Sequence, residues 1–236
     1  MNPYNQPDPA ADSRRLRQAF AVALSFVVLL WMVKLTEVFV ATDFIQLGIY
    51  PRRASGLIGI LCAPLIHSSF AHLFANSAPI LVTGTMLLYG YPRAARVVLP
   101  LVYLGSGIAV WLFAREAYHI GASGLVFGML LFVFTAGVLQ WGRRAIALSL
   151  AVFFLYGGML MGVLPVDQDI SFESHLAGAL IGLVLAFRLR QLDPAPAPKQ
   201  YSWELEEEEI DPDSVIEVDA EVKADAVDDA DRPEQH

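Results

Sequence analysis

The sequence has little cysteine and little charge, and each shortage excludes a class of protein. Its 236 residues contain one cysteine, Cys62, so an internal disulfide is excluded, and we expect this thiol to be a small buried apolar group. Only 17% of the residues are charged, against about a quarter in a soluble domain. The HExxH motif of one large class of metalloproteases is absent. Aspartyl chemistry within a membrane is also excluded, because the apolar runs lack the two aspartates that it needs.

Long apolar runs are what the chain has in excess. Hydrophobic residues make up 56% of it, and the mean hydropathy is +0.50. About 20 mostly apolar residues are needed to cross a bilayer. Six runs come near that length, at 19–40, 72–91, 95–114, 123–141, 144–164 and 171–190. We therefore predict an all-α, polytopic membrane protein with a six-helix bundle over residues 19–190.

The remaining segments differ in character from the runs. Residues 1–18 form a polar leader, and we expect no cleaved signal peptide there. Residues 41–71 are partly apolar but interrupted by proline and glycine, which favours a structured loop at the membrane interface. Residues 191–236 begin with "DPAPAPK" and become strongly acidic, which predicts a disordered tail that solubilises the protein or, less simply, regulates it.

Arginine placement predicts the orientation. With a cytoplasmic N-terminus, nine arginines of the spans and their flanks fall inside and three outside. The nine are Arg14, Arg15, Arg17, Arg93, Arg96, Arg143, Arg144, Arg188 and Arg190, and the three are Arg52, Arg53 and Arg115. Both termini are then cytoplasmic, in a bacterial cell membrane. Lys34 and Glu37 are three residues apart near the outer end of the first span, so they can pair on one helix face.

Polar side chains within spans are costly and are therefore functional candidates. His72 and Asn76 begin the second span, Ser123 begins the fourth, and His175 lies in the first turns of the sixth. All three spans run from outside to inside in the predicted topology. The four side chains should therefore share the extracytoplasmic half of the bundle.

Each candidate also has a structural interpretation when taken alone. Ser123 in "GASG" can be a packing residue or a nucleophile at a helix start, where free N–H groups favour negative charge. His72 and Asn76 share one helix face, so they can supply hydrogen-bond donors to an oxyanion or ordinary bonds between helices. A neutral His175 can act as the general base of a serine, in a dyad without a carboxylate.

Small residues point to the partner of the sixth span. Gly178 and Gly182 are spaced as GxxxG, which allows another helix to pack very closely. His175 lies three residues before Gly178 and points to the same side. If the partner is the fourth span, Ser123 and His175 can meet.

Three motifs in order resemble the rhomboid family of intramembrane serine proteases. They are "HSSFAHLFAN", "GASGLVFG" and "HLAGALIG", within a resemblance that covers about residues 15–190. It implies that Ser123 is the nucleophile and His175 the general base. It also implies an oxyanion hole formed by His72, Asn76 and the Ser123 N–H, and a reaction that needs no metal or cofactor.

The same resemblance assigns supporting roles. Phe127 would pack against His175, and Gly121 and Gly124 would clear space around Ser123, as Gly178 and Gly182 would between the helices. His67 would be structural. The expected partners are transmembrane protein substrates and the lipid bilayer, not nucleic acid, and the oligomeric state is left open.

One departure from the family pattern concerns the first loop. Many members have a Trp-Arg pair there, where this chain reads "LIGI" at 57–60, with Arg52 and Arg53 shifted along the loop.

Two alternatives to the protease remain. One is a catalytically inactive rhomboid-like protein that binds membrane clients; the other is a transporter or channel, which would be expected to show a repeat between the two halves of the chain.

Overall fold

A computed structural model describes residues 9–140, 143–165 and 171–193. Six α-helices dominate it. They are α1 (Pro9–Phe39), α2 (Phe70–Gly90), α3 (Pro92–Phe113), α4 (Ser123–Gln140), α5 (Arg143–Tyr156) and α6 (Phe172–Leu189). The described residues contain no β-strand, apart from one isolated bridge between Ile49 and His119. The prediction of an all-α bundle is confirmed.

Five of these helices, all except α5, are long and apolar enough to cross a membrane. They expose large apolar side chains such as Phe113, 82% exposed, which suits contact with lipid rather than water. The predicted fifth span is not a continuous α-helix. Its α-helix ends at Tyr156 and continues as a 3₁₀ helix, Gly157–Val163, because the run "GGMLMG" contains three glycines that weaken the α-helix.

Two boundaries differ from the predicted ones. Helix α1 begins at Pro9, ten residues earlier than predicted, because proline at a helix start is tolerated and "AADSRRLRQ" contains good helix formers. Residues 191–193 do not belong to a detached tail. The Asp193 carboxylate accepts hydrogen bonds from the N–H groups of Arg93 and Ala94 at the start of α3. The rest of the predicted tail lies outside the described residues.

Helix α4 is the centre of the bundle. It packs against α2, α3, α5 and α6, and most of its side chains are buried, among them Phe127, Met129 and Phe132. An apolar helix surrounded on all sides is typical of a buried core element. Ser123 therefore lies in the first turn of the most buried helix of the bundle.

The segment between α1 and α2 is ordered, as predicted. It consists of short helical turns at Ile45–Leu47, Ala54–Leu57, Gly59–Cys62 and Ala63–Leu65. The Tyr103 hydroxyl of α3 donates to the Leu61 carbonyl at 2.6 Å. Cys62, expected to be buried, is half-buried, because it lies on one of these turns rather than in the helical core.

Candidate active site

Two pairs of glycines bring α4 and α6 into backbone contact. A methyl group added at Gly178 would overlap the carbonyl oxygen of Gly124 and lie 2.8 Å from its carbonyl carbon. One added at Gly182 would likewise overlap the carbonyl of Gly128. The partner of the GxxxG spacing is therefore α4, and it presents a matching pair of glycines. This contact fixes the elements that carry Ser123 and His175 against each other.

The His175 ring is held on two sides. It stacks on Phe127, with ring centroids 4.3 Å apart and planes at 10°, and its Nδ1 lies 2.9 Å from the carbonyl oxygen of Gly162. A carbonyl only accepts, so Nδ1 carries the hydrogen and donates it. In a neutral ring, Nε2 is then the nitrogen with a free lone pair. His175 is thus oriented with its basic nitrogen away from the 3₁₀ helix.

Ser123 is buried at the first turn of α4, one turn before Phe127. Its neighbour Gly124 faces α6: a methyl group there would lie 2.7 Å from the hydroxyl of Ser174, the residue before His175. The structure therefore brings the Ser123 turn to the His175 turn. Among the described residues no hydrogen bond joins the Ser123 hydroxyl to the His175 ring. Such bonds are often long before substrate binds.

His72 approaches the same turn from α2. Its ring lies against Gly121, where a methyl group would be 2.8 Å from Nε2, and its Nδ1 is 3.2 Å from the Ser68 hydroxyl. Gly121 also has a φ of +105°, which favours glycine. Gly121 thus leaves room for the His72 ring, and Gly124 is the glycine that faces α6.

Asn76 is buried one turn below His72. Its amide nitrogen donates to the His72 carbonyl at 3.0 Å. An asparagine amide has two N–H groups, so one remains for another acceptor. His72 and Asn76 therefore lie one turn apart on the same helix, and the His72 ring is the one that contacts the turn before α4.

A buried ion pair on α1 supports the approach to His72. The Lys34 ammonium donates to Glu37 at 2.9 Å, to the His67 carbonyl at 2.9 Å and to the Ser68 carbonyl at 3.3 Å. The predicted pairing of Lys34 with Glu37 is confirmed. Because Ser68 contacts the His72 ring, α1 is connected to the candidate site through this lysine.

His67 is fully buried beside His72, with ring centroids 5.0 Å apart. Burial, together with the neighbouring His72 and Lys34, lowers the pKa of His67 from 6.5 to about 4. The nearby Leu65 backbone opposes this shift in part, but neither ring nitrogen has a partner with good hydrogen-bond geometry among the described residues. The ring is therefore neutral at physiological pH and acts as a packing group for His72.

His119, which the sequence analysis did not single out, holds the start of α6. Its Nε2 lies 3.0 Å from the Arg115 carbonyl, so that nitrogen donates, and Nδ1 accepts from the Ser171 hydroxyl at 2.7 Å. Ser171 is the N-cap of α6 and accepts from the Ser174 N–H. Burial lowers the pKa of His119, which favours this neutral form. The only signal in the sequence was its position four residues before Ser123.

The first loop is anchored although the Trp-Arg pair is missing from 57–60. The Arg52 guanidinium donates to the Ala114 carbonyl at 2.7 Å and lies 3.6 Å from Glu116. The indole of Trp111, on α3, donates to the Arg53 carbonyl at 3.0 Å. A tryptophan and an arginine thus still fasten the loop, but they come from other positions in the chain.

Two contributors to the site could not be found from sequence motifs. The acceptor for His175 is a backbone atom of Gly162, which no side-chain pattern marks. Ser174 matters through its packing against Gly124. In the part of the chain that the structure describes, no group of three or more His, Cys, Asp or Glu side chains is placed to hold a metal ion.

The fold and the comparisons together define the class of protein. The bundle of apolar helices is that of a multi-pass membrane protein. Residues 54–192 match the family model described as "Rhomboid domain", and the chain therefore belongs to the rhomboid family.

The relatives found by comparison fall into two groups. An uncharacterized protein of Mycobacterium tuberculosis is 38% identical over 176 residues, which cover 70% of this chain and 73% of that protein. An uncharacterized protein of Mycobacterium leprae is 35% identical over 189 residues, 75% of this chain and 74% of that protein. RHOMBOID-like protein 2 of Arabidopsis thaliana is 28% identical over 151 residues, 61% of this chain and 44% of that protein.

Proposed function

We propose that this chain is an intramembrane serine endopeptidase that cleaves peptide bonds in or beside transmembrane segments of membrane proteins. The observation that carries the proposal is the orientation of His175. Its Nδ1–H is committed to the Gly162 carbonyl and its ring is stacked on Phe127, one turn from Ser123. A histidine held in this tautomer keeps Nε2 as a base, which is the role that a carboxylate secures in a catalytic triad.

The first half of the reaction forms an acyl-enzyme. The Ser123 oxygen attacks the substrate carbonyl carbon while His175 Nε2 takes the hydroxyl proton. The tetrahedral intermediate then collapses, the peptide C–N bond breaks, and the imidazolium gives its proton to the leaving amine. Water, deprotonated by the same nitrogen, hydrolyses the ester and restores Ser123.

The negative charge that develops on the substrate oxygen needs donors. The His72 ring, the Asn76 amide and the Ser123 N–H at the start of α4 are the groups that we assign to it. The second N–H of Asn76 is not used by its bond to the His72 carbonyl. Loss of one such donor in other serine proteases costs about 2.7–4 kcal/mol in the transition state.

We further propose that residues 19–190 form the protease domain, within a cell membrane and with both termini in the cytoplasm. The arginine distribution supports this orientation. The candidate site then lies toward the outer face, where the start of α4 and the start of α6 meet. Substrates would be membrane proteins whose transmembrane segments can unwind near that face.

A serine-directed fluorophosphonate probe tests the proposal directly. It should label the purified wild-type protein, and labelling should be lost in Ser123→Ala and in His175→Ala. Both variants should also fail to cleave a single-span model substrate while they express and melt like wild type. Ser149→Ala, at a buried serine on α5 whose hydroxyl bonds only to backbone carbonyls, is the matched control and should label normally.

The alternative is a catalytically inactive rhomboid-like protein that binds membrane clients. Among the described residues no hydrogen bond joins Ser123 to His175, an arrangement that this alternative shares with a protease before substrate binds. A wild-type protein that is folded yet neither labelled nor active would refute the protease and support this reading. Cleavage retained by Ser123→Ala would refute the proposed nucleophile.

A further inference from the structure

The end of the bundle opposite Ser123 carries a basic cavity. It has a volume of about 830 Å³ and lies between the start of α1, the α2–α3 turn and the end of α4. Three arginines line it, Arg15, Arg93 and Arg96. We call the space that these three arginines line the basic cavity.

The two acidic residues that line the basic cavity are already engaged. The Asp12 carboxylate accepts from the Tyr89 hydroxyl at 2.8 Å, and the Asp193 carboxylate accepts from backbone N–H groups at the start of α3. Arg93 donates to the Leu192 carbonyl. Arg15 and Arg96, in contrast, are exposed and make no hydrogen bond or ion pair within the described part of the chain. Arg15 and Arg96 are therefore available for an anion, and three arginines against two aspartates leave the lining with a net positive charge.

An apolar groove begins where the basic cavity ends. Its volume is about 440 Å³, and Val22 and Leu88 line both spaces, so the two are contiguous. The rest of its wall comes from α1, α2, α3 and α4. It includes Phe26, Ile80, Leu99, Leu104 and Met129.

Along α1 and α3 the groove extends over about one leaflet. Leu104 lies eight residues beyond Arg96 on α3, and Phe26 lies eleven residues beyond Arg15 on α1. At 1.5 Å per residue these positions lie about 12–17 Å from the arginines, or half of a hydrocarbon core of about 30 Å. On α4 the groove continues to Leu125, two residues after Ser123.

Contiguity of the two spaces favours a lipid as the occupant. The apolar groove opens into the basic cavity at Val22 and Leu88. One molecule with an anionic end and a flexible hydrocarbon chain therefore reaches both spaces.

We propose that this combined site binds one anionic glycerophospholipid. Its phosphate-containing headgroup lies in the basic cavity against Arg15 and Arg96, and one acyl chain lies in the apolar groove. The lipid would come from the leaflet that faces the cytoplasm in the proposed orientation. Basic pockets between helices on that side of a membrane suit such headgroups, and each arginine contributes about fivefold in affinity. The site does not depend on whether the chain is a protease.

The test uses the full chain purified in detergent and titrated with dioleoyl phosphatidylglycerol, with bound lipid counted by native mass spectrometry. Arg15→Gln combined with Arg96→Gln should weaken binding roughly 25-fold. Arg17→Gln is the matched control, because Arg17 lies on the same helix end but does not line the cavity. Arg15→Lys combined with Arg96→Lys keeps the charge and should retain most of the binding, which separates a charge effect from misfolding.

A second pair of variants tests the acyl chain. Leu104→Trp fills the apolar groove and should also weaken binding about tenfold or more. Leu101→Trp, on the same helix and also exposed, lies outside the groove and should not. Inorganic phosphate should not compete at concentrations well above that of the lipid, because it lacks the chain.

Three results would overturn the proposal. One is an equal loss of binding in Arg17→Gln, which would mean general surface charge. Another is equal affinity for dioleoyl phosphatidylcholine, whose headgroup is neutral overall. The third is unchanged binding in Leu104→Trp or full competition by phosphate, either of which would remove the apolar groove from the site.

Discussion

Replacing Gly178 with alanine should separate the two helices that carry the proposed dyad. The new methyl group would overlap the Gly124 carbonyl oxygen and lie 2.8 Å from its carbon and 3.1 Å from its Cα. Carbon atoms ordinarily pack at about 3.5–4.0 Å, so α4 and α6 must move apart by about 1 Å. Backbone cannot rotate out of the way as a side chain can.

We expect a cost in both stability and activity. Overpacking of this kind destabilises by about 1–3 kcal/mol. A displacement of about 1 Å at reacting groups can lower a rate by about 100-fold. Because the displacement moves His175 relative to Ser123, cleavage should fall far more than the amount of folded protein.

The assay is cleavage of a single-span substrate in liposomes, together with the thermal midpoint of the same preparation. Gly158→Ala is the matched control, because a methyl group at Gly158 meets no atom within 4 Å. It should leave both quantities near wild type. Wild-type activity in Gly178→Ala would refute the argument that this backbone contact sets the geometry of the site.

Three further sets of variants test the groups around the site. Lys34→Met leaves the Glu37 carboxylate buried without its cation, so it should cost about 3–5 kcal/mol in unfolding free energy, and Lys34→Met with Glu37→Gln should recover part of it. The folded pKa of His67 is about 4 and its unfolded value is 6.5, so the unfolded chain takes up a proton first as pH falls. Between pH 6.5 and 4 this difference should lower the free energy of unfolding by about 3 kcal/mol. His67→Gln should therefore flatten the pH dependence of the melting temperature in that window. His119→Phe and Ser171→Ala each remove one partner of the 2.7 Å bond at the start of α6, so each should lower the free energy of unfolding by about 1 kcal/mol. The double variant should lose less than the sum of the two, and additive losses would contradict an interaction between these side chains.

The helices and the close contact between α4 and α6 were predictable because their signals lie in side-chain type and spacing. Apolar runs located the helices, and the GxxxG of Gly178 and Gly182 predicted a close partner that proved to be α4. The break of the fifth span at Tyr156 was missed, since the apolar run continues through the 3₁₀ helix without a change in hydropathy.

The supports of the site were harder to predict because they join distant parts of the chain. The Lys34 ammonium reaches the carbonyls of His67 and Ser68, more than thirty residues away, and no motif records a bond to a carbonyl. The link from Trp111 to the loop at Arg53 is of the same kind. Such bonds depend on how the helices assemble, which spacing along the sequence does not describe.

The acceptor that orients His175 has a consequence for genetics. A substitution at position 162 changes the side chain on the Cα but leaves the backbone carbonyl that accepts from the imidazole. A scan of side-chain substitutions can therefore reach this contact only by crowding, since even a methyl group would lie 3.1 Å from Nδ1 and 3.3 Å from the Phe127 ring. In a triad the corresponding function rests on a carboxylate that a single codon change deletes. In the proposed dyad, the backbone support of His175 is protected from that form of loss, and a search for a third side chain would not find it.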